Sequence, residues 1–158
     1  MFRPLTRFKQ ELSREKCIEI LMNEKRGVLS LVGDGGYPYG VPINHYYDPV
    51  ENKIYFHSGK TGHKIDAMKK EAKASYCVID AGSKDPEEWF LRFNSVIVFG
   101  TIEFIEDEKI IEEKARLLSY KFTQDEDHID KEIEKSLKAT ALFVLNIEHM
   151  CGKHVKEE

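Results

Sequence analysis

Tyr55-Phe56-His57-Ser58-Gly59-Lys60-Thr61-Gly62-His63-Lys64-Ile65 reads as the end of a strand, a loop with two glycines, and a helix that starts at a basic pair. A helix N-terminus exposes unpaired N–H groups and a partial positive charge, so it favours anions. Ser58 and Thr61 add hydroxyl donors; Lys60, His63 and Lys64 add fixed or switchable positive charge. Together these groups suit a phosphate. The stretch is not a Walker A loop, which needs four residues between its Gly and its Gly-Lys-[Ser/Thr]. An ordinary Gly-rich strand-to-helix turn with solvated lysines accounts for the same residues, and both readings stay open.

On the N-terminal side, Ser13 is placed to cap a first helix running to about Glu24, with Leu12 and Cys17 at hydrophobic-staple positions. Ile18, Leu21 and Met22 share one face, and Gly27 is placed to end the helix. Val28 to Val32 is apolar and β-prone. Gly33-Asp34-Gly35-Gly36 then forces a turn, and Tyr37 to Tyr47 reads as the returning strand. Pro38 and Pro42 cannot donate to a ladder, so this strand is an edge or is irregular. Asp48-Pro49 opens a turn into a third strand, Lys53 to His57.

On the C-terminal side, a short helix covers His63 to Ala72, and Ser75 to Asp80 is a fourth strand. Ala81 to Glu88 is a polar loop. Trp89 to Ile105 is strongly β-prone, with Gly100 as a bulge or a close approach of backbones. Ile110, Ile111, Lys114, Leu117 and Leu118 keep helical spacing within Asp107 to Phe122. Thr123 to Asp130 is acidic and reads as exposed, with Asp125-Glu126-Asp127 as a solvated loop, and Ile129, Ile133 and Leu137 mark another short helix. Ala139 to Ile147 is a final strand, apolar on both faces and therefore central. Six strands joined mostly by short turns, with three or four helices, predict a mostly β fold with helices: a six-stranded antiparallel β-barrel rather than an alternating α/β sheet.

The chain has 158 residues, 41% hydrophobic and 33% charged, which fits one globular domain over residues 1–158. Its net charge of −4 argues against general nucleic-acid binding. No apolar run approaches the ~20 residues of a membrane span, and the N-terminus lacks the apolar core of a signal peptide. Cys17, Cys77 and Cys151 are odd in number and widely spaced, as expected of reduced thiols in a cytoplasm, without zinc spacing.

Within Gly40-Val41-Pro42-Ile43-Asn44-His45-Tyr46-Tyr47, Pro42 frees its neighbours from regular pairing. Backbone groups and the Asn44 amide could then meet a flat polar heterocycle; a strand with a tolerated edge proline is the plainer alternative. The ordered set Val41-Pro42-Ile43-Asn44, Ile54-Tyr55-Phe56-His57-Ser58, Gly62-His63-Lys64, Ser95 to Glu103 and Cys151-Gly152-Lys153 resembles the pyridoxamine 5′-phosphate oxidase-related FMN-binding split barrels. Within them it is most similar to the nitroimidazole-resistance-type flavoproteins, over roughly residues 4–154. The resemblance implies a homodimer of six-stranded split barrels with FMN at the interface. It places Val41, Pro42, Ile43 and Asn44 along the isoalloxazine ring, and His57 and Ser58 at the ribityl chain or phosphate. His63 and Lys64 stand at the basic phosphate pair, commonly Arg-Lys, and Ser95 where the oxidases often face the flavin with Gln across the dimer. His63 in place of Arg weakens bidentate phosphate binding unless it is protonated. The end, Gly152-Lys153-His154-Val155-Lys156-Glu157-Glu158, lacks the Arg- and His-bearing segment with which the true oxidases hold pyridoxal phosphate.

Two functions follow as expectations. The first is an FMN-dependent oxidoreductase passing hydride or electrons from reduced FMN, supplied by an electron donor, to a small planar acceptor such as a nitro compound or quinone. His57 is its one catalytic candidate, for proton donation. The second is a non-catalytic flavin- or haem-binding module, with His57, His63 and His154 as candidate axial ligands. His45, His128, His149 and His154 show no metal-type spacing, and each reads as a surface or hydrogen-bonded histidine.

Overall fold

The structure, a computed structural model, describes residues 1–156. Its regular elements are α1 (Arg14–Asn23), β1 (Arg26–Val32), β2 (Pro38–Asn44), β3 (Tyr46–Asp48), β4 (Lys53–Gly59), α2 (His63–Lys70), β5 (Lys73–Ile79), β6 (Arg92–Ile105), α3 (Glu108–Ser119), α4 (Glu126–Ser136) and β7 (Thr140–Lys156). The strands form one antiparallel sheet in the order β2-β1-β5-β6-β7-β4-β3.

That order closes the fold. β2 and β3 lie at opposite ends of the sheet, yet only His45 separates them in sequence. The two ends must therefore meet at His45, and the sheet curls into a split barrel. β3 pairs with β4 only as far as Tyr55, so the far end of β4 is held on one side only, by β7. There β4 and β2 come close without pairing, which leaves two free backbone edges along the split.

The barrel interior is filled by Leu29, Leu31, Ile54, Phe56, Tyr76, Val78, Val96, Val98, Phe143 and Leu145. α1 adds Cys17, Ile20 and Leu21, and α2 adds Ile65, Ala67 and Met68. Ser13 caps α1, its hydroxyl accepting from the Lys16 N–H at 3.2 Å. On the outside, Ile111 of α3 packs with Tyr55, Leu142 and Val144. Lys114 of α3 is buried, with its ammonium 2.9 Å from Asp48 and 4.7 Å from the Tyr55 ring centre. Burial opposes ionisation of Asp48, but N–H donors from Glu51 and Val50 and the Lys114 ammonium outweigh it and hold the carboxyl below its ordinary value.

Several boundaries differ from the sequence reading. There are seven strands rather than six, because His45 breaks the expected Tyr37–Tyr47 strand in two. α1 ends at Asn23, and Gly27 lies inside β1, where a Cβ would meet the Cys77 carbonyl at 2.5 Å and the Tyr76 ring at 2.7 Å. β6 starts only at Arg92, leaving Trp89 77% exposed in a loop. The acidic segment is not all loop: Asp125 caps α4 by accepting from the His128 N–H at 3.1 Å. β7 runs nine residues past Ile147, so Cys151 lies inside a strand, opposite Ile97. Gly100 does mark a register shift, and a Cβ built on it would collide with the Asn146 carbonyl. Among the described residues no helix is long and apolar enough to cross a membrane, and no cluster of three metal-ligating side chains occurs.

Candidate functional site

The loop between β4 and α2 is open. Gly62 has φ of 126°, a conformation that side-chain-bearing residues rarely adopt, and its carbonyl accepts from the Asp66 N–H to begin the helix. A Cβ built on Gly59 or Gly62 would meet nothing within 4 Å, so a ligand has room at both. Lys60, Thr61 and His63 are exposed, while Ser58 and Lys64 are half-buried. The Ser58 hydroxyl donates to the Gly59 carbonyl at 2.8 Å, and it must turn from that bond to donate to a phosphate. No side chain caps α2, so its first N–H groups are left for an anion. These residues fit a flavin phosphate.

His63 is turned elsewhere. Its ring stacks on Tyr39 at 4.1 Å, and its Nε2 accepts from the Asp34 N–H at 3.4 Å, with the Asp34 carboxylate 3.8 Å away. Lys64 is therefore the cation with no partner at the helix start, among the described residues.

β2 is held by the barrel corner. Alternation sends Val41 and Ile43 inward and Pro42 and Asn44 outward. The Arg26 side chain donates to Asn44 Oδ1 at 2.8 Å. Pro42 borders a groove of about 630 Å³ on the outer face, with Val28, Cys77, Ile79 and Arg26. Cross-strand register lines up Pro42, Val28, Cys77, Ile97 and Cys151 across five strands, and Ser95 lies between Ile79 and Lys153 in the next row. Pro42 and Ser95 thus share the outer face, whose Val28, Ile79 and Ile97 remain exposed. Burial raises the thiol pKa of Cys77 and Cys151, which suits neither to nucleophilic work.

His45 itself is fully buried. Its Nε2–H donates to the Leu21 carbonyl at 2.7 Å, and its Nδ1 meets the Tyr76 hydroxyl at 2.7 Å. That hydroxyl is also 3.0 Å from the Ile43 carbonyl. Burial, with the nearby Lys121 charge, pushes the His45 pKa down to about 3, so the ring is neutral. Lys121 donates to the Glu24 carbonyl at 2.5 Å and the His45 carbonyl at 2.8 Å, and burial pushes its own pKa down to about 8. These three residues position the Ile43–Asn44 stretch, and no local signal marks them.

His57 lies apart from His63. It borders a cleft of about 260 Å³ with Ala115, Ser119, Glu132, Ile133 and Thr140, between α3 and α4. His57 is exposed, but partial desolvation against the cleft wall, then the Lys64 charge, lowers its pKa below the ordinary value. At the far end of the barrel, Asp80 accepts from the Asn94 side chain at 2.7 Å, and Asn94 Oδ1 lies 2.9 Å from His154 Nδ1. Asp80 sets the amide orientation, so Nδ1 of His154 is the donor and Nε2 is the ring nitrogen left without a hydrogen-bond partner among the described residues.

The pyridoxamine 5′-phosphate oxidase family profile matches residues 13–154, and the chain belongs to that family. No curated protein matches significantly. Among solved structures, a candidate 5-nitroimidazole antibiotic resistance protein from Bacteroides thetaiotaomicron is 19% identical at a TM-score of 0.79, covering 92% of this chain and 87% of that one. An FAD-binding protein from Mesorhizobium loti is 24% identical at 0.65, covering 92% and 97%. An FAD- and haem-binding protein from Mycobacterium smegmatis is 23% identical at 0.72, covering 92% and 72%. At these identities the structural likeness is one of fold.

Proposed function

We propose that residues 1–158 form one FMN-binding unit of a cytoplasmic homodimeric oxidoreductase. The observation that carries it is the uncapped α2 start with its open glycines, beside the free edges of β2 and β4, in a chain of this family. Bound FMN would supply hydride or electron transfer to a small planar acceptor, of the nitro or quinone type, after reduction by a small-molecule donor. Ser58, the α2 N–H groups and Lys64 hold the phosphate, and His63 supports the loop from Tyr39. Val41, Pro42, Ile43 and Asn44 orient the ring, and Ser95 approaches it from the second subunit. His57 is the candidate for proton transfer; being neutral near pH 7, it is an acceptor before it is a donor. The exposed Val28, Ile79 and Ile97 supply an apolar face for the dimer, of the kind a monomer rarely leaves bare.

The test is the absorption spectrum of the purified protein and the mass of the molecule it releases on denaturation. FMN is the expected result. Colourless protein that fails to quench added FMN fluorescence would remove the reading, and a monomer by ultracentrifugation that still holds FMN would remove the shared site. The oriented Nε2 of His154 favours one alternative, a haem-binding module of the same barrel with His154 as axial ligand. A Soret band would select it.

A further inference from the structure

We propose that a cleft on the other flank of α2 is a second binding site, for a small organic monocarboxylate with a compact apolar body. The cleft measures about 500 Å³ and lies between α2, the end of β6, the start of α3 and the start of β7. Small-molecule sites typically run ~300–1,000 Å³. It is distinct from the side of α2 that His63 uses. Ile65 and Lys69, which line the cleft, lie roughly 200° and 240° round the helix from His63 at 3.6 residues per turn.

The floor is apolar: Ile65, Ile111 and Leu142 are buried, and Phe104 is half-buried. The rim carries Lys60, Lys69 and Lys138, from a loop, a helix and the turn before β7. Gly59 pairs with Thr140, which brings the segments holding Lys60 and Lys138 to the same end of the cleft. Among the described residues neither ammonium has a hydrogen-bond or ion-pair partner, and Lys69 has only the Phe104 ring, 6.0 Å away. Glu106 and Glu108 border the cleft on the β6 side of β7, two strand spacings or ~10 Å from Lys60. The rim is thus polarised, cationic on the β4 side and anionic on the β6 side. A single carboxylate fits the Lys60–Lys138 end, while a multiply charged ligand would extend toward the two glutamates. The apolar body covers Phe104, Ile105, Leu137 and Ala141, the half-buried part of the lining, and removes it from water.

The experiment titrates the full chain, with and without FMN, with 2-naphthoate and separately with octanoate, and follows backbone amide shifts. Saturable shifts are expected around Lys60, Ile65, Lys69, Phe104 and Lys138, and the two probes distinguish a flat aromatic body from a flexible acyl one. The double variant Lys60→Gln, Lys138→Gln should weaken binding about three- to tenfold, as for loss of two exposed ion pairs. 2-Naphthalenemethanol, the neutral analogue, should bind less tightly than 2-naphthoate. Shifts that never saturate, shifts centred elsewhere, or equal binding of the alcohol would overturn the proposal. The readout needs no flavin, so its failure leaves the flavin reading standing, and colourless protein leaves this site standing.

Discussion

The His45 corner and the Gly59–Gly62 loop are both places where a strand of the barrel stops pairing, and they are finished in opposite ways. At the corner every polar group is taken by the protein. The His45 N–H goes to the Lys25 carbonyl, its carbonyl accepts from Lys121, and both ring nitrogens are engaged. At the loop, space beside the glycines is empty and Lys60 and Lys64 face no carboxylate within the described residues. A buried break must satisfy its own polar groups, because an unmet buried donor or acceptor costs ~1–3 kcal/mol. An exposed break can leave them to water or to a ligand. The corner thus closes on itself while the loop leaves its groups open, and changes at the two should separate cleanly.

The largest effect is expected at the corner, as a response to pH. His45 has a folded pKa of about 3 against ~6.5 unfolded, so the unfolded chain binds the extra proton between those values. Its contribution is complete above pH ~6.5 and is lost as pH falls toward 3. Between pH 7 and pH 4 that loss is about 3 kcal/mol at 1.36 kcal/mol per unit. Urea unfolding at both pH values, compared with His45→Gln, measures it. The comparison breaks if the variant shows the same loss on acidification.

At the loop, Lys64→Ala should weaken FMN by ~10–150-fold, the value of a charge-assisted hydrogen bond of ~1.5–3 kcal/mol, without moving the unfolding midpoint appreciably. His63→Ala should cost less than about tenfold, because its ring is held by Tyr39 and Asp34. Fluorescence titration checks both. Equal losses would return His63 to the phosphate, and an unchanged affinity would make Lys64 a solvated helix residue.

A change at the corner sharpens the contrast from the other side. Tyr76→Phe removes the hydroxyl that His45 Nδ1 and the Ile43 carbonyl share and should destabilise by ~1–2 kcal/mol. FMN affinity should change little if the loop alone holds the phosphate. A midpoint equal to that of the unmodified protein would mean that the Tyr76 hydroxyl contributes nothing to the corner.

Much of the fold was legible along the chain. Ser13 at a helix start, Pro42 on an edge strand, Gly100 at a register shift and the β-prone run Val28 to Val32 are set by neighbours a few residues away. So was the strand–loop–helix at Ser58 to Lys64, because a loop glycine and an uncapped helix start are local features. Tertiary structure alone decided the rest. His45 breaks its strand because the sheet must close there, on partners from α1, β5 and the end of α3. Lys114 is buried because Asp48, 66 residues earlier, receives it. β7 continues to Lys156 because Arg92 to Phe99 of β6 offers a pairing edge, and only that pairing brings His154 to Asn94, 60 residues away. Local sequence sets what a segment prefers; burial and hydrogen-bond partners come from residues distant in the chain, and these decide where a segment stops and which of its polar groups are left for a ligand.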